Sequence, residues 1–347
     1  MSQTVFRFDG PRTTVRNLKS FKEAIPEPSK HEVLIKVHSV SLNFRDIAIA
    51  TSKYPFPVKD DVVPCSDAAG EVVKVGEGVR TVAVGDRVVG TFDITNLFGQ
   101  QMDWLNGQGG PVDGVLREYV AIPATSAVKI PKDSPQSSSE WSTLVCTGVT
   151  AWNSLYGITP LKPGQTVLCQ GTGGVAITGL ILAKAAGAIT IVTSSSDEKL
   201  DLVKKKFGAD YTINYKKHPE WSKEVLRLTN GEGVDYVLEN GGSGTIAESI
   251  NATKMGGNVS VIGFLSQAKQ SEMPDVASLA LAKGAVVRGV VVGSTQLLQE
   301  VVRFVAQKGL RLPVDKEFEF TEEGIIKAYE YATSGSHIGK ICIRVVG

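Results

Sequence analysis

The chain is poor in the residues that mark disulfide-rich or metal-clustered proteins. Its 347 residues include only four cysteines and four histidines. The cysteines (Cys65, Cys146, Cys169 and Cys342) lie far apart without a CxxC pair, and the histidines follow no ligand spacing. A disulfide framework is therefore excluded, and the sequence predicts a reduced, cytoplasmic setting.

The chain also lacks a strong charge of either sign and a long apolar run. A formal net charge of +1 gives no electrostatic footprint for nucleic acid, so we predict no such partner. No window approaches the ~18 uninterrupted apolar residues of a membrane span, and residues 1–10 lack a basic start and an apolar core. The sequence thus predicts neither a membrane partner nor a secretory signal, and small molecules remain the expected partners.

Residues 1–130 are expected to be rich in β-strands. The side chains of HEVLIKVHSV (31–40) alternate with the period of two that is typical of a β-strand. GEVVKVG, GDRVVGTF and GVLREYVAI are predicted to be further short strands, separated by glycine turns. After residue 294, an amphipathic helix (296–308) and a second helix lead to KICIRVV, which has the alternation of a half-buried strand. This last strand suits the first domain, so we predict a discontinuous β-rich domain of residues 1–130 and 295–347.

Residues 131–294 have a different rhythm, in which short apolar runs alternate with helix-like stretches. Near-continuous hydrophobic strands separated by helices indicate a parallel sheet covered on both faces. The predicted class is therefore α/β, with a doubly wound, six-stranded Rossmann domain that binds a dinucleotide. The six predicted strands are TVLCQ (166–170), TIVTS (190–194), YTIN (211–214), VDYVLEN (234–240), NVSVIG (258–263) and VVRGVVV (286–292).

A glycine-rich loop follows the first of these strands and opens a helix. Its sequence, GTGGVA, comprises Gly171, Thr172, Gly173, Gly174, Val175 and Ala176. A tight glycine turn allows a pyrophosphate to approach the backbone, and the free N–H groups at the helix start favour its charge. The strand before the loop and the helix after it supply the context that the motif requires. The alternative is a turn used only for packing.

The end of the second strand bears on the choice of cofactor. It carries Ser194, Ser195 and Ser196 where NAD-binding domains usually place a carboxylate for the ribose hydroxyls. These hydroxyls, with Lys199, suit a 2′-phosphate, so NADP is favoured and NAD remains the alternative. Ser195 and Glu198 also have the spacing of a capping box, which would start a helix without any role in binding.

Further cofactor contacts are predicted from the topology, because ligands bind beyond the carboxyl ends of parallel strands. The residues that follow the fourth, fifth and sixth strands would meet the nicotinamide half through backbone groups. They are Asn240, Gly241 and Gly242, then Gly263, Phe264 and Leu265, and finally Val292, Gly293 and Ser294.

These motifs together resemble the medium-chain dehydrogenase/reductase superfamily over nearly the whole chain. The stretches that carry the resemblance are SLNFRD (41–46), VPCSDAAGEVVKVGEGV (63–79), GDRV (85–88), LVCTGVTAW (144–152), GQTVLCQGTGGVA (164–176) and HIGKICIRV (337–345). The resemblance is strongest to the zinc-independent branch of quinone oxidoreductases, zeta-crystallins and enoyl reductases, and extends to zinc-type alcohol dehydrogenase-like proteins. It implies a GroES-like catalytic domain, a cleft beside the Rossmann domain and a homodimer formed through VVRGVVV. It also implies cofactor contacts from Thr150, Tyr215 and Lys340.

The same resemblance assigns a meaning to VPCSDAAGE (63–71). Zinc alcohol dehydrogenases carry Gly-His-Glu there, whereas this chain has Ser66 in place of the zinc-binding histidine and Asp67 in place of the glutamate. A second ligand, a cysteine, corresponds to Asn43, and only the third is kept, as Cys146. The segment that would hold a structural zinc, near 91–112, has no cysteine. Since catalytic zinc requires three strong protein ligands, we predict that both zinc sites are absent.

Without a metal, hydrogen-bond donors would have to stabilise the charge that develops on an acceptor oxygen. The candidates are Asn43, Arg45 and Tyr54, whose equivalents in the quinone-reductase branch lie near the nicotinamide. Each has a structural alternative, since Asn43 would also secure a turn, Arg45 would pair with Asp46 or Asp67, and Tyr54 would cover the cleft rim. Asp67 is a candidate proton donor or a structural hydrogen-bond acceptor.

The sequence therefore predicts a zinc-independent, NAD(P)H-dependent oxidoreductase that transfers hydride to a quinone or an enone. An alcohol or aldehyde dehydrogenase of the same superfamily is one alternative, and a non-catalytic, crystallin-like cofactor-binding protein is another. Residues 92–114 form a predicted loop or short helix, which would serve as a substrate lid, a dimer contact or a plain surface excursion.

Overall fold

The computed structural model describes residues 1–345 of the chain, which divide into two compact units. The first comprises Met1–Val149 together with the chain from Val292 onward, and the second comprises Thr150–Val291. The prediction of an α/β fold with a β-rich part and a six-stranded parallel sheet is confirmed. Within residues 1–345, no helix has the length and apolar character needed to cross a membrane.

The first unit contains two sheets. Strands β1 (Ser2–Phe8) and β2 (Leu18–Ala24) form an antiparallel pair, and a mixed seven-stranded sheet has the order β14-β15-β3-β4-β5-β7, with β6 also paired to β3. Its strands are β3 (Glu32–Ser41), β4 (Asp67–Val75), β5 (Arg87–Gly90), β6 (Tyr119–Pro123), β7 (Ala127–Lys129), β14 (Val314–Glu319) and β15 (Lys340–Arg344).

Helices pack against this sheet. They are α1 (Phe44–Ala50), α2 (Ser138–Ser142), α9 (Thr295–Lys308) and α10 (Glu322–Ser334), and a π-helical turn (Leu144–Gly148) follows α2. The alternating side chains of β3 explain the core, since Val33, Ile35 and Val37 are fully or almost fully buried. Helix α10 adds the buried Ile325 and Tyr329 to the same core.

The final strand, β15, joins the first unit, where it pairs with β3 in antiparallel register and with β14 in parallel register. Its predicted half-buried pattern is wrong, because Lys340–Ile343 are buried on both faces. The physical reason is a helix on the second face. The thiol of Cys342 lies 3.6 Å from the carbonyl oxygen of Ser139 in α2. The face of β15 that was predicted to be exposed is therefore covered as well.

The second unit is a parallel sheet with the strand order β10-β9-β8-β11-β12-β13, the doubly wound arrangement of dinucleotide-binding domains. Its strands are β8 (Thr166–Gln170), β9 (Ile189–Ser194), β10 (Tyr211–Asn214), β11 (Val234–Glu239), β12 (Thr253–Val261) and β13 (Val286–Gly289). Its helices are α3 (Val149–Tyr156), α4 (Gly174–Ala185), α5 (Asp197–Phe207), α6 (Trp221–Leu228), α7 (Ile246–Ala252) and α8 (Val276–Lys283).

The unit boundaries differ from those predicted at 130/131 and 294/295. Residues 131–149 belong to the first unit, because α2 packs on β3 and β4. The sixth parallel strand ends at Gly289 rather than at residue 292, and the chain from Val292 belongs to the first unit.

Glu140 attaches the returning chain to the first unit. Its carboxylate is almost fully buried and accepts two hydrogen bonds from the Arg311 guanidinium (2.7 and 2.8 Å). The backbone N–H groups of Leu312 and Ser137 each donate at 3.0 Å. Burial opposes ionisation of Glu140, but these donors outweigh it and hold the pKa of the carboxyl below its usual range.

We expect the Glu140→Gln variant to lose about 2 kcal/mol of unfolding free energy, because the amide nitrogen would face donors. Urea-induced unfolding at pH 7 measures this loss. Glu323→Gln is the matched control, since that exposed carboxylate only meets Lys327 at 2.6 Å on a helix surface and should change stability little. Equal stability of the two variants would contradict an anchoring role for Glu140.

Candidate functional site

The glycine loop lies between β8 and α4 in the second unit. Gly171 has a φ of +82°, a conformation that favours glycine, and its N–H donates to the carbonyl oxygen of Thr193 (2.9 Å). Gly173 is the N-cap residue of α4 and makes no side-chain cap, so the first N–H groups of the helix are open. A Cβ at Gly171 or Gly173 would meet no protein atom within 4 Å. The loop therefore leaves room for an anion at a helix N-terminus and fits a pyrophosphate.

A buried carboxylate shapes the neighbouring loop at the point where the strand order reverses. Glu239 ends β11, and its Oε1 accepts from the N–H groups of Gly241 (2.7 Å) and Gly242 (2.8 Å). Its Oε2 accepts from the side-chain amide of Gln170 (2.6 Å) at the end of β8. The Asn240 side chain donates in turn to the Gln170 carbonyl oxygen (2.9 Å). This network fixes residues 240–242 beside the glycine loop. In the sequence, the glutamate directly before Asn-Gly-Gly could have predicted this network, but it was not among the predicted site residues.

The loop after β9 carries the predicted adenosine contacts. The N-cap of α5 is Ser196, whose hydroxyl accepts from the Lys199 N–H (3.3 Å), so the predicted capping box of Ser195 with Glu198 is wrong by one residue. The carboxylate of Asp197 is held by the Lys217 ammonium (2.6 Å) and the Asn214 amide (2.8 Å).

Other predicted cofactor residues lie at several places. Tyr215 follows β10, is 42% exposed and donates its N–H to the Ser194 carbonyl oxygen (3.0 Å). Gly263–Leu265 follow β12, and the Leu265 N–H donates to the Asn240 carbonyl oxygen (3.3 Å). These segments therefore share the carboxyl edge of the parallel sheet with the glycine loop.

The structure gives less direct support for the remaining predicted cofactor residues. Thr150 is buried in α3 and its carbonyl oxygen accepts from the Ser154 hydroxyl (2.8 Å). Val292–Ser294 belong to the first unit, where Ser294 is the N-cap residue of α9. Their assignment to cofactor binding stays a prediction.

In the first unit, VPCSDAAGE leads into β4 and places Asp67 in a fully buried polar cluster. The Ser66 hydroxyl donates to Asp67 Oδ1 (2.6 Å), and the Cys146 backbone N–H donates to Asp67 Oδ2 (3.1 Å). Burial raises the pKa of the Asp67 carboxyl, while the charge of Lys340 is the largest opposing influence. Asp67 is thus a hydrogen-bond acceptor here, in line with the structural alternative, and its proposed proton transfer stays a prediction.

Lys340 completes this cluster from the start of β15. Its side chain is 3% exposed, and its ammonium donates to the carbonyl oxygen of Leu42 (2.6 Å) and to Asn43 Oδ1 (2.5 Å). It also lies 3.7 Å from Asp67 Oδ2. The predicted contact of Lys340 with the cofactor phosphates stays untested, but its ammonium already faces three protein oxygens.

Asn43 is the N-cap residue of α1 and forms a capping box with Asp46, the third residue of that helix. Its backbone N–H donates to Asp46 Oδ2 (2.7 Å), while its side-chain oxygen bonds to Lys340. Its side-chain nitrogen, Nδ2, is buried and makes no hydrogen bond within residues 1–345. A buried donor without a partner is costly, which makes Asn43 Nδ2 a candidate to bind an ordered water or a ligand oxygen.

Arg45 and Tyr54 form a second, aromatic cluster. The guanidinium lies between the rings of Tyr54 (5.2 Å) and Phe92 (4.9 Å) and donates to the Gln108 carbonyl oxygen (2.7 Å). Arg45 forms no ion pair with Asp46 or Asp67 in the described chain, so that alternative pairing is wrong. Burial raises the pKa of the Tyr54 phenol, which keeps its O–H as a donor at neutral pH.

The segment 92–114 is an irregular loop without a helix. Asp93 ties it together by accepting from the Thr95 N–H (2.8 Å) and from Gln101. The Trp104 ring stacks on Phe56 at 3.7 Å and closes a cavity of about 10 Å³ beside Arg45, enough for one water molecule. The loop therefore covers the aromatic cluster. Its role as a lid or a dimer contact stays a prediction.

Comparison with known proteins identifies the family. Residues 29–132 match the model of the alcohol dehydrogenase GroES-like domain, and residues 174–307 match the model of zinc-binding dehydrogenases. A zinc-type alcohol dehydrogenase-like protein of Schizosaccharomyces pombe is 42% identical over 321 residues, which cover 90% of this chain and 91% of that protein. The chain therefore belongs to the medium-chain dehydrogenase/reductase superfamily, as an alcohol dehydrogenase-like oxidoreductase.

Two crystal structures support this assignment. One, of a Sinorhizobium meliloti 1021 protein that bears the name alcohol dehydrogenase, is 35% identical with a TM-score of 0.90 and 99% coverage of both chains. The other, of an NAD-dependent alcohol dehydrogenase, is 26% identical with a TM-score of 0.86, and covers 99% of this chain and 100% of that one.

The donor set of this chain does not fit the zinc that the family name implies. Asn43 and Ser66 stand where the resemblance places two of the three ligands, and both are poor zinc ligands. Burial, reinforced by the charge of Asp67, raises the pKa of the Cys146 thiol to about 12, so a thiolate is disfavoured. The Lys340 ammonium already contacts the Asn43 oxygen, and no group of three His, Cys, Asp or Glu within residues 1–345 has a metal-binding arrangement.

Asp46 is a functional candidate that sequence reasoning considered only as a partner of Arg45. It is fully buried, and its Oδ1 has no hydrogen-bond partner within residues 1–345. Burial raises the pKa of its carboxyl to about 6, against the opposing charge of Arg45. The acidic residue at the third position of a helix was its only sequence signal.

We expect the Gly173→Val variant to lose affinity for a nicotinamide dinucleotide at least 100-fold, because the side chain would fill the space in front of α4. Fluorescence titration with NADPH measures the affinity. Gly173 has φ −81° and ψ −173°, which any residue adopts, so the melting temperature should be unchanged. Full affinity in a folded variant would show that the loop does not bind the cofactor.

Asp46 should make stability depend on pH. A carboxyl whose pKa is raised in the folded state favours folding while protonated, and this contribution disappears as the pH rises through about 6. Relative to Asp46→Asn, the wild type should therefore lose about 2 kcal/mol between pH 4 and pH 7. Urea unfolding of both proteins across this range isolates the effect. A constant difference between them would mean that Asp46 does not titrate there.

Proposed function

We propose that this protein is a zinc-independent, NADPH-dependent oxidoreductase that reduces conjugated carbonyl compounds, either quinones or enones. The observation that carries the proposal is the polar cluster of the first unit. Each of the three positions that would hold zinc ligands instead bonds to the buried Lys340–Asp67 pair. Hydrogen-bond donors and a fixed ammonium are therefore available where a metal would be expected.

The chemistry of the acceptor follows from this donor set. NADPH held at the glycine loop would supply a hydride to a carbon of the conjugated substrate, and negative charge would then develop on the carbonyl oxygen. Conjugation spreads that charge, so neutral donors suffice where an isolated aldehyde would depend on a Lewis acid. Asn43 Nδ2, with its unused N–H groups, is the proposed donor to the oxygen. Tyr54 and Arg45, which form the aromatic cluster, are proposed as further donors. Asp67 is proposed to support the proton transfer that completes the product.

The preference for NADPH rests on the loop after β9. The nearest acidic residue, Asp197, already forms an ion pair with Lys217 and accepts a hydrogen bond from the Asn214 amide. A 2′-phosphate would therefore meet the hydroxyls of Ser194 and Ser195 beside an Asp197 carboxylate that is already paired. Lys199 and Tyr215 are proposed to complete this phosphate site.

A second candidate is an alcohol or aldehyde dehydrogenase. The names of the Schizosaccharomyces pombe relative and of the two crystal structures favour it. The weak donor set for zinc speaks against it, because these substrates benefit most from a metal.

We also propose a cytoplasmic homodimer. Strand β13 is an edge of the parallel sheet, so a second copy can extend the sheet there. Helix α8 is largely apolar and buries none of its residues, and Leu281 is 84% exposed. An apolar helix beside a free strand edge suits a symmetric interface.

The first test measures zinc and turnover in the same preparation. Protein purified without chelator should contain less than about 0.1 zinc per chain and should oxidise NADPH with 1,4-benzoquinone or an enone. Its kcat/KM with NADPH should exceed that with NADH at least tenfold. About one zinc per chain with alcohol-dependent reduction of NAD⁺ would support the second candidate. Cofactor binding without turnover on any acceptor would support a non-catalytic protein.

The dimer proposal is tested with the double variant Val286→Lys, Leu281→Lys, since two charges placed on the exposed edge should prevent self-association. Light scattering after size exclusion should give a dimer for the wild type and a monomer for this variant. Leu202→Lys is the control, because Leu202 is also 41% exposed but lies on α5. A monomeric wild type at micromolar concentration would refute the proposal.

A further inference from the structure

Lys340 is a buried cation whose contacts are all within the first unit. Its ammonium has three N–H donors, and three oxygens surround it: Leu42 O at 2.6 Å, Asn43 Oδ1 at 2.5 Å and Asp67 Oδ2 at 3.7 Å. An exposed fraction of 3% leaves almost no surface for a further ligand. The geometry is thus that of a group that holds other groups in place.

The orientation of the Asn43 amide follows from this contact. An ammonium only donates hydrogen bonds, so the atom that faces it must be the amide oxygen. The NH₂ group is then the end of the amide left for another acceptor; it adjoins the Asp67 carboxylate, but its nitrogen makes no hydrogen bond of full geometry within residues 1–345. If Lys340 were neutral and apolar, the amide oxygen would lose the ammonium that it faces.

Lys340 also balances the charge of Asp67. A buried carboxylate without a counter-charge is strongly disfavoured, and Asp67 is fully buried. The same carboxylate fixes Ser66 and the middle of the π-helical turn at Cys146. One ammonium therefore orders the segments at residues 42–43, 66–67 and 146.

We propose that Lys340 is a positioning residue, which fixes the Asn43 carboxamide so that its Nδ2 group donates to the oxygen of the carbonyl substrate. This inference rests on the proposed function and deepens it. It replaces a direct contact of Lys340 with cofactor phosphates by an action through Asn43.

The experiment is a double-mutant cycle of Lys340→Met, Asn43→Ala and the combined variant. For each protein, kcat with saturating NADPH and the dissociation constant of NADPH are measured. Lys340→Met should lower kcat at least tenfold and change the NADPH dissociation constant by less than threefold. In the Asn43→Ala background, the same substitution should lower kcat by less than threefold, because the group that it positions is already gone.

Two results would overturn the proposal. One is an NADPH dissociation constant raised tenfold or more by Lys340→Met with kcat retained, which would assign the lysine to the cofactor. The other is independent, multiplicative losses of kcat in the double variant, which would show that Lys340 does not act through Asn43.

A second variant covers the case in which Lys340→Met does not fold because Asp67 loses its counter-charge. Lys340→Met with Asp67→Asn removes both charges and should regain the melting temperature. Its kcat should be lower than that of Asp67→Asn alone, because Asn43 still lacks its ammonium; equal kcat in these two variants would refute the proposal.

The cycle is run with whichever acceptor the wild type turns over best. A failure of the proposed substrate class is thereby seen in the wild type alone, separately from any failure of the Lys340 proposal. If the wild type has no turnover, there is no carbonyl substrate for Asn43 to contact, and the proposal falls with the function.

Discussion

The buried ammonium of Lys340 is the contact on which the arrangement of the first unit's polar cluster depends. It joins a strand at the end of the chain to Asn43, which lies 297 residues earlier, and to Asp67 at the start of β4. Two charges buried together are tolerated only when their hydrogen bonds are satisfied, and Ser66 and the Cys146 N–H supply the remaining donors. The discontinuous first unit is therefore closed by electrostatics as well as by strand pairing.

This cluster explains how a member of a zinc-named family differs from what its name implies. A metal centre depends on ligands that carry negative charge or soft lone pairs. Here an amide, a hydroxyl and a thiol with a pKa of about 12 occupy those positions, and the positive charge belongs to a lysine. Asp67 then needs no metal to balance it. The proposed function, in which hydrogen bonds rather than a metal meet the substrate oxygen, rests on this donor set.

The second unit relies on a comparable principle, a buried carboxylate that orders backbone N–H groups. Glu239 holds Gly241 and Gly242 and is linked through Gln170 to the strand that carries the glycine loop. The loops of two adjacent strands are thus fixed relative to each other before any cofactor binds. Preorganised loops reduce the entropy cost of binding.

Several features followed from the sequence alone because they depend on neighbouring residues. The six parallel strands, the glycine loop and the return of the last strand to the first domain were all predicted from period, glycine position and alternation. Tertiary packing decided the rest. A helix over β15 buried positions that alternate in polarity, residues 131–149 joined the first unit, and a serine one position later became the N-cap of α5. Above all, only the fold brought Lys340 to Asn43 and Asp67. The physical reason is that local patterns report the conformation of adjacent residues, whereas a charged group meets its partner only after distant strands have paired.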